Sequence, residues 1–583
     1  MKSLKKFTAA LIATLLLCGA AFAADSSPAN AKQTVIKVFE TTDIHGYLMD
    51  TSSMNEDTFT YRMAFIANEV NTARSDPEYD DVLLLNGGNN YEGTPVSNLL
   101  QGAAVRAAMD AMGYDATALG NHEFDWDAAR DYLHCDAEGT LAAYEVGSFS
   151  GDPDIPVLAC NLYYADTGER VEWTRDYVIT QKAGHTVALI GYITDFSSQV
   201  MTTRIAPYTI DDSLEHLNAR IEEINRAENP DITIVVAFGG ASALAAALDP
   251  AQVDLVTGGH NQASAGSAGT ADNGIVYLES ACYAQGYVSA LITVDETTGE
   301  VRVTAEEPTE VVTSGPGADN SRLYAANADS NLDPAVLAIS QAAWESVKGD
   351  MEEDLGYVDT DLSTRVSVSD NGATAAGNWI TGLMLRWARE TYGEDVAAAF
   401  YNNGGMRTSL TLAAGESTRR ITAADIYTIN PFCNSWYVYE ITGSELAQHL
   451  LNAFENGNYG NELSGLTFTY SVSEASGAAE ASAGKDTGAP GGKSGAVYTI
   501  EAITLDDGTV VDIHDETATY LVCTSSYSGT LAGGVFASHE PLNETEAPID
   551  NQTLIELLRA EAAANNGYIA VDTGVRGTKI EAE

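Results

Sequence analysis

Short, largely apolar runs recur between residues 34 and about 262 of the chain, and stretches of helical character separate them. The runs are VIKVF, DVLLL, IPVLACNLY, TVALIGYI, DITIVVAF and VDLVTGG, rich in β-branched residues and mostly followed by glycine or polar residues. Strands without a polar face belong in a sheet that is covered on both sides. The pattern therefore predicts a layered α/β core. SNLLQGAAVRAAMDAMG reads as a helix with Ser97 as N-cap and Gly113 as stop. Loops that carry chemistry are then expected at the strand ends.

The pattern changes between 311 and 355, where TSGPGADNS is rich in turn formers and DPAVLAISQAAWESVKGDMEEDLG reads as a helix starting after Asp333-Pro334. A second mixed α/β region follows, interrupted at 474–496 by an Ala/Gly/Ser-rich stretch that reads as a flexible surface insertion. With 583 residues the chain exceeds what one core normally serves. The expected organisation is one domain over 34–310, a linker helix or hinge over 311–355, and a second domain over 356–581.

The first residues, MKSLKKFTAALIATLLLCGAAFAADSS, place Lys2, Lys5 and Lys6 before an apolar run that ends in Ala21-Phe22-Ala23. That is the layout of a signal peptide over 1–23, which predicts an extracellular, cell-surface or periplasmic protein. No later stretch is apolar enough to span a bilayer, so no transmembrane segment is expected in the mature chain. Of six cysteines Cys18 lies in the leader, leaving Cys135, Cys160, Cys282, Cys433 and Cys523. Their odd number and the lack of any C-x-x-C exclude a thiolate metal site and a disulfide scaffold. A Cys135–Cys160 bridge stays open.

The formal charge of −54, from 83 acidic and 29 basic residues, excludes nucleic acid as a partner. It also repels phosphate esters, so a phosphate ligand would need a local source of positive charge such as a metal or arginines. No protein partner follows from the sequence.

Five motifs fall at the predicted strand ends. TTDIHG offers Asp43 and His45, GNNYEGT offers Asn89, and GNHEFD offers Asn121, His122 and Asp125. VVAFGG ends a strand on Phe238, and GGHNQ offers His260 and Gln262. Each alone is commonplace, but three histidine-bearing loops at the ends of neighbouring strands point to a metal or catalytic centre.

GTPVSN, GNHEFD and PFCN, in that order along the chain, resemble the 5′-nucleotidase family, with its 2′,3′-cyclic phosphodiesterases and UDP-sugar hydrolases, over nearly the whole mature chain. The resemblance implies an N-terminal calcineurin-like metallophosphoesterase domain, a C-terminal nucleotide-recognition domain, and one or two divalent cations, Zn, Mn or similar. It implies Asp43, His45 and Gln262 as ligands of a first cation, Asn121 and His260 as ligands of a second, and Asn89 in the place of a bridging aspartate. His122 and Asp125 match the catalytic pair that stabilises or protonates the leaving oxygen. The reaction implied is in-line attack of metal-activated water on phosphorus. Two positions depart from the family: Asn89 is neutral where a carboxylate is expected, and Phe238 stands where a histidine is usual.

In the second domain the resemblance implies Arg407, in NNGGMRTSL, as a phosphate contact, and Phe432 and Asn434, in INPFCN, as base-stacking and nucleoside-holding residues. Tyr527, in SSYSGTLAGGVFAS, matches the second stacking ring, Val535 replaces a ribose-binding aspartate, and Arg365 is a further candidate for phosphate. The expected function is an exported metal-dependent phosphoesterase that hydrolyses nucleotides or related phosphate esters with a degenerate second metal site. The alternative is a member that binds a nucleotide, small ligand or protein without hydrolysing it, a reading that Asn89, Phe238 and Val535 share.

Overall fold

The computed structural model describes residues 33–581 except 54, 126–143, 147–148, 152–154, 198–199, 201, 433, 456–459, 475–495, 532 and 544–546. The leader, Cys135 (the partner left open for a bridge to Cys160), Cys433 and nearly all of the 474–496 insertion lie outside those residues. Cys160, Cys282 and Cys523 are buried free thiols.

The chain is α/β, as its pattern predicts, and its N-terminal half carries two main sheets. In one, β1 (Gln33–Thr41), β2 (Asp81–Asn86) and β3 (Ala116–Ala118) run parallel, with Thr41 beside Asn86 and Asn86 beside Thr117. In the other, β4 (His185–Ile193), β5 (Ile232–Phe238), β6 (Leu255–Thr257) and β7 (Val276–Glu279) run parallel in that order. Strand β8 (Gly286–Asp295) joins the first sheet antiparallel to β1, with Val301–Ala305 paired on its outer side. All seven residues of β5 are buried, as its apolar sequence requires of an inner strand.

Two sequence expectations need correction. IPVLACNLY is not one strand: Val157–Leu158 pairs with β3, and Leu162–Tyr164 pairs with Tyr208–Ile210. Between them the buried side chain of Asn161 donates to the Ile193 carbonyl (2.7 Å) and accepts from the Ile193 N–H (3.0 Å), which takes the chain out of the first sheet. The helix expected from Ser97 is two helices, Pro95–Leu99 and Ala103–Met112. Thr94, not Ser97, caps the first, and left-handed backbone at Gln101 (φ +48°) and Gly102 (φ +70°) breaks the path. Gly113 ends the second helix as expected.

A helix spans Pro334–Met351, capped by Asp333 through the N–H groups of Ala335 and Val336. Its buried Val336, Ala343, Trp344, Val347 and Met351 join the N-terminal core, and Trp344 stands edge-on to Phe59 at 4.9 Å. Fully buried valine and methionine side chains contribute about 1.5–3 kcal/mol each, so this helix packs firmly on the first half, with Ala424 of the second half in the same cluster.

The C-terminal half holds a four-stranded sheet of Trp436–Thr442, Thr519–Ser525, Val396–Tyr401 and Glu462–Ser464, covered by helix Ala375–Tyr392. Glu462 is buried and accepts from the Thr374 N–H (2.7 Å) at that helix's N-terminus and from Asn403 Nδ2 (2.8 Å). Burial pushes its carboxyl up to about 7 despite these bonds. Through Asn403 it also fixes the loop that carries Arg407. Among the described residues no helix is long and apolar enough to cross a membrane.

Candidate functional site

The C-terminal ends of β1, β2, β3, β5 and β6 converge, and their loops are stitched together by backbone. Asp43 N–H donates to Gly88 O (2.9 Å), His45 N–H to Asn89 O (3.0 Å), and Gly259 N–H to Gly239 O (3.1 Å). Asp43 (φ +48°), His45 (φ +48°), Asn89 (φ +57°), His260 (φ +79°) and Gln262 (φ +46°) all have left-handed backbone. Such residues cost of order 1–3 kcal/mol each and persist only where the surroundings over-determine them, which is typical of functional loops. A Cβ on Gly120 would come within 2.2 Å of Asn89 Oδ1, so only glycine lets the β3 loop approach so closely.

Asn89 is the knot of this centre. Its Oδ1 accepts from the His122 backbone N–H (3.0 Å), an unambiguous donor, and this fixes the amide orientation. The Nδ2 group then donates to Asp43 Oδ1 (2.9 Å) and to Asn121 Oδ1 (3.3 Å). An aspartate has no hydrogen to offer these oxygens and would repel the Asp43 carboxylate. Asp43 is fully buried, and its Oδ2 accepts from Thr42 Oγ1 (3.0 Å) and the His260 N–H (2.9 Å). Phe238 is buried with its ring 4.8 Å from that of His260. Burial also holds His260 below the usual histidine range, which favours its neutral form.

His45 Nε2 lies 3.2 Å from Gln262 Nε2 and 3.8 Å from Asp43 Oδ1. Gln262 Oε1 accepts from the Tyr283 hydroxyl at 3.4 Å. His122 Nδ1 is 2.5 Å from Asp125 Oδ2. Burial alone would lower the His122 pKa, but the carboxylates of Asp125 and Glu92 outweigh it and raise it to about 9, so the ring is an imidazolium at neutral pH.

Two acids missing from the sequence-based candidates belong to the same network. Glu92, in GNNYEGT, brings Oε2 to 3.2 Å from His45 Nδ1 and 3.5 Å from His122 Nδ1. Glu123, in GNHEFD, accepts from the N–H groups of Asn89 (3.1 Å), Asn90 (2.8 Å) and Gly120 (2.8 Å), binding the β2 and β3 loops to each other. The available signal was an acid within a glycine-flanked motif at a strand end.

Beside this centre a cavity of about 450 Å³ opens between the halves, lined by His45, Glu92 and Tyr283 on one side and by Arg407, Arg419 and Phe432 on the other. The Arg407 guanidinium sits 4.6 Å above the Phe432 ring, and that ring stacks on His122 at 6.0 Å and 19°. Tyr527 is close enough to Arg407 and Asp125 for both charges to act on its hydroxyl, whose pKa burial raises. The cavity is lined without Asn434, which is hydrogen-bonded to Tyr401. Arg365 is exposed and also apart from the cavity. Val535 packs against the C-terminal core.

The model of the 5′-nucleotidase C-terminal domain family matches residues 354–538. The chain is 25% identical to the cell wall protein Lmo0130 of Listeria monocytogenes, over 100% of its own length and 74% of that protein's. It is 30% identical to the 5′-nucleotidase of Vibrio cholerae over 44% of its own length, and the match spans less than half, 45%, of that relative. Among solved structures, the 5′-nucleotidase precursor of Thermus thermophilus superposes with a TM-score of 0.62 at 18% identity, covering 94% of this chain and 99% of that one. At that identity the likeness speaks for the fold.

Proposed function

As a member of the 5′-nucleotidase family, with that family's C-terminal domain and two-domain fold, this chain is, we propose, an exported phosphoester hydrolase that acts on nucleotides or related phosphate esters in the cleft between its halves. The observation that carries the proposal is the His122–Asp125 pair, joined at 2.5 Å and directly facing Phe432 and Arg407 across the cleft.

The steps assigned to the chain's own residues follow from their chemistry. Arg407 offers a planar fork of N–H donors to the phosphoryl oxygens. Phe432 offers a face to a base, which gives affinity with little selectivity. The His122 imidazolium gives its Nε2 proton to the leaving oxygen, while Asp125 holds Nδ1 and with it the ring's direction. Tyr527 adds a second aromatic surface near Arg407 and Asp125.

A divalent cation fits at Asp43, His45 and Gln262, which provide a carboxylate, an imidazole and an amide; when bound it supplies neutralisation of phosphoryl charge and a more acidic water. A second cation does not fit the remaining set. Asn89, Asn121 and His260 bring no charge, Phe238 brings no donor atom, and the Asn89 Nδ2 group already occupies the Asn121 side-chain oxygen. We therefore assign one cation to the centre.

Export rests on the leader at 1–23 and on the likeness to a cell wall protein. An N-terminus at Ala24 in protein recovered outside the cytoplasm would support it, and retention of the leader inside the cell would sink it. Hydrolysis is tested with AMP, UDP-glucose and an aryl phosphate in the presence of Mn²⁺ or Zn²⁺. Turnover of at least one of them is expected, and silence across the panel would favour the non-hydrolytic alternative.

A further inference from the structure

We propose that Glu92 is the positioning residue of this centre: it carries, one contact behind the cation-facing atoms, the negative charge that Asn89 lacks, and it sets which nitrogen of His45 faces Asp43 and Gln262. The proposal rests on the phosphoesterase reading only for its consequence in turnover.

His45 Nδ1 lies 3.2 Å from the Glu92 backbone carbonyl oxygen as well as 3.2 Å from Glu92 Oε2. A carbonyl oxygen has no proton to give, so Nδ1 is the protonated nitrogen of a neutral His45. The lone pair is then on Nε2, the atom facing Gln262 and Asp43. A ligating imidazole commonly donates its other N–H to a carboxylate, which fixes the ring and raises its basicity. Gly93 holds the geometry in place: its φ is +142°, and a Cβ there would come within 2.2 Å of the His45 carbonyl oxygen.

Glu92 is only 2% exposed, its Oε1 has no hydrogen-bond partner, and it lines the cavity. A buried carboxylate so placed is costly unless cationic or donor groups answer it. Here they are the two Nδ1 groups and, farther off, Arg407. His45, Glu92 and His122 bring ligand atoms within 4.8 Å of one another, a spacing that could hold a cation among them. The proton on His45 Nδ1, and the commitment of His122 Nδ1 to Asp125 at 2.5 Å, oppose that use. The set is a charge relay behind the centre and not a second ligand sphere.

The test uses the full chain with Mn²⁺ as probe, in the parent, Glu92→Gln, and the charge-swapped Asn89→Asp/Glu92→Gln variant. Glu92→Gln keeps the volume and removes the charge. Loss of such a supporting carboxylate typically costs about 10- to 100-fold in metal affinity, which is the weakening expected, and the double variant should recover most of it. Nitrogen NMR of the cation-free parent should show His45 protonated at Nδ1. A parent that binds no Mn²⁺, a Glu92→Gln chain of unchanged affinity, a double variant with no recovery, or His45 protonated at Nε2 would each overturn the proposal. A chain that hydrolyses no phosphate ester while Glu92→Gln still weakens Mn²⁺, with recovery in the swap, would overturn the hydrolase reading and leave this one standing. Turnover with unchanged Mn²⁺ affinity in Glu92→Gln would do the reverse.

Discussion

The two sides of the centre handle charge in opposite ways. Around Asn89 the groups are amides and imidazole rings bonded to one another, and Asp43 is the carboxylate that Asn89 contacts. Around His122 two carboxylates, Asp125 and Glu92, converge on one imidazole and hold it charged. Negative charge is thus sparse around Asn89 and concentrated around His122. The two sides share Glu92, but otherwise proton delivery and cation binding draw on different residues, so substitutions away from Glu92 can alter each side separately.

The largest expected effect comes from the proton side. Asp125→Asn removes the strongest contribution that raises His122 against burial. An acid of pKa about 9 is competent below that pH and is lost above it, so hydrolysis by the parent should fall on its alkaline side near pH 9. In Asp125→Asn that fall should move to lower pH, and the rate should drop by about 10²-fold or more, in line with what general acids contribute. A pH–rate profile checks both, and an unmoved alkaline limb would break the contrast between the two sides.

The cation side is sharpened by gain of function. Asn89→Asp with Phe238→His returns a bridging carboxylate and an imidazole, so bound metal and turnover should rise, with affinity up about 10- to 100-fold or more. Metal analysis and titration check this. No change in either would mean that these positions do not face the cation.

A smaller effect is expected at the cleft. Arg407→Lys keeps the charge and loses the planar fork over Phe432, so KM should rise by about tenfold, equivalent to about 1.4 kcal/mol and near the lower end for a hydrogen bond to a charged group. Steady-state kinetics on AMP would show it, and an unaltered KM would remove Arg407 from substrate binding.

The smallest functional effect belongs to a group far from both sides. His449 is buried between Phe400 (4.4 Å) and Phe536 (4.6 Å), and burial lowers its pKa to about 3. It stays neutral in the fold while an unfolded chain takes up a proton near pH 6.5, so its contribution to stability is full above that pH. It is lost at about 1.4 kcal/mol per pH unit as pH falls toward 3. The difference in denaturant unfolding between the parent and His449→Leu from pH 7 to 4 should show this slope, with turnover unaltered.

What the sequence disclosed, and what it did not, follows the range of the interactions involved. Inner strands such as DITIVVAF and the Asp333-Pro334 helix start are local features, and both were legible. The exit of the chain at Asn161 was not, because that side chain acts on Ile193, a partner no periodicity reveals. The break at Gln101-Gly102 carried only one glycine as its sign. The candidate residues of the centre were named from strand-end motifs and a family resemblance, and His122 with Asp125 lies in one local turn. Glu92 and Glu123 were in view within the same motifs, but their roles depend on where a buried carboxylate points. The stacking of Phe432 on His122 joins two halves whose separate patterns say nothing of each other.

The central claim is that hydrolysis of a phosphate ester is carried by the His122 proton, and the most direct measurement is turnover of AMP, UDP-glucose and an aryl phosphate by the parent and by His122→Ala with Mn²⁺ present. The expected result is measurable turnover by the parent and a loss of about 10²- to 10⁴-fold in the variant. A parent inert toward all three, or a variant as fast as the parent, would contradict the claim.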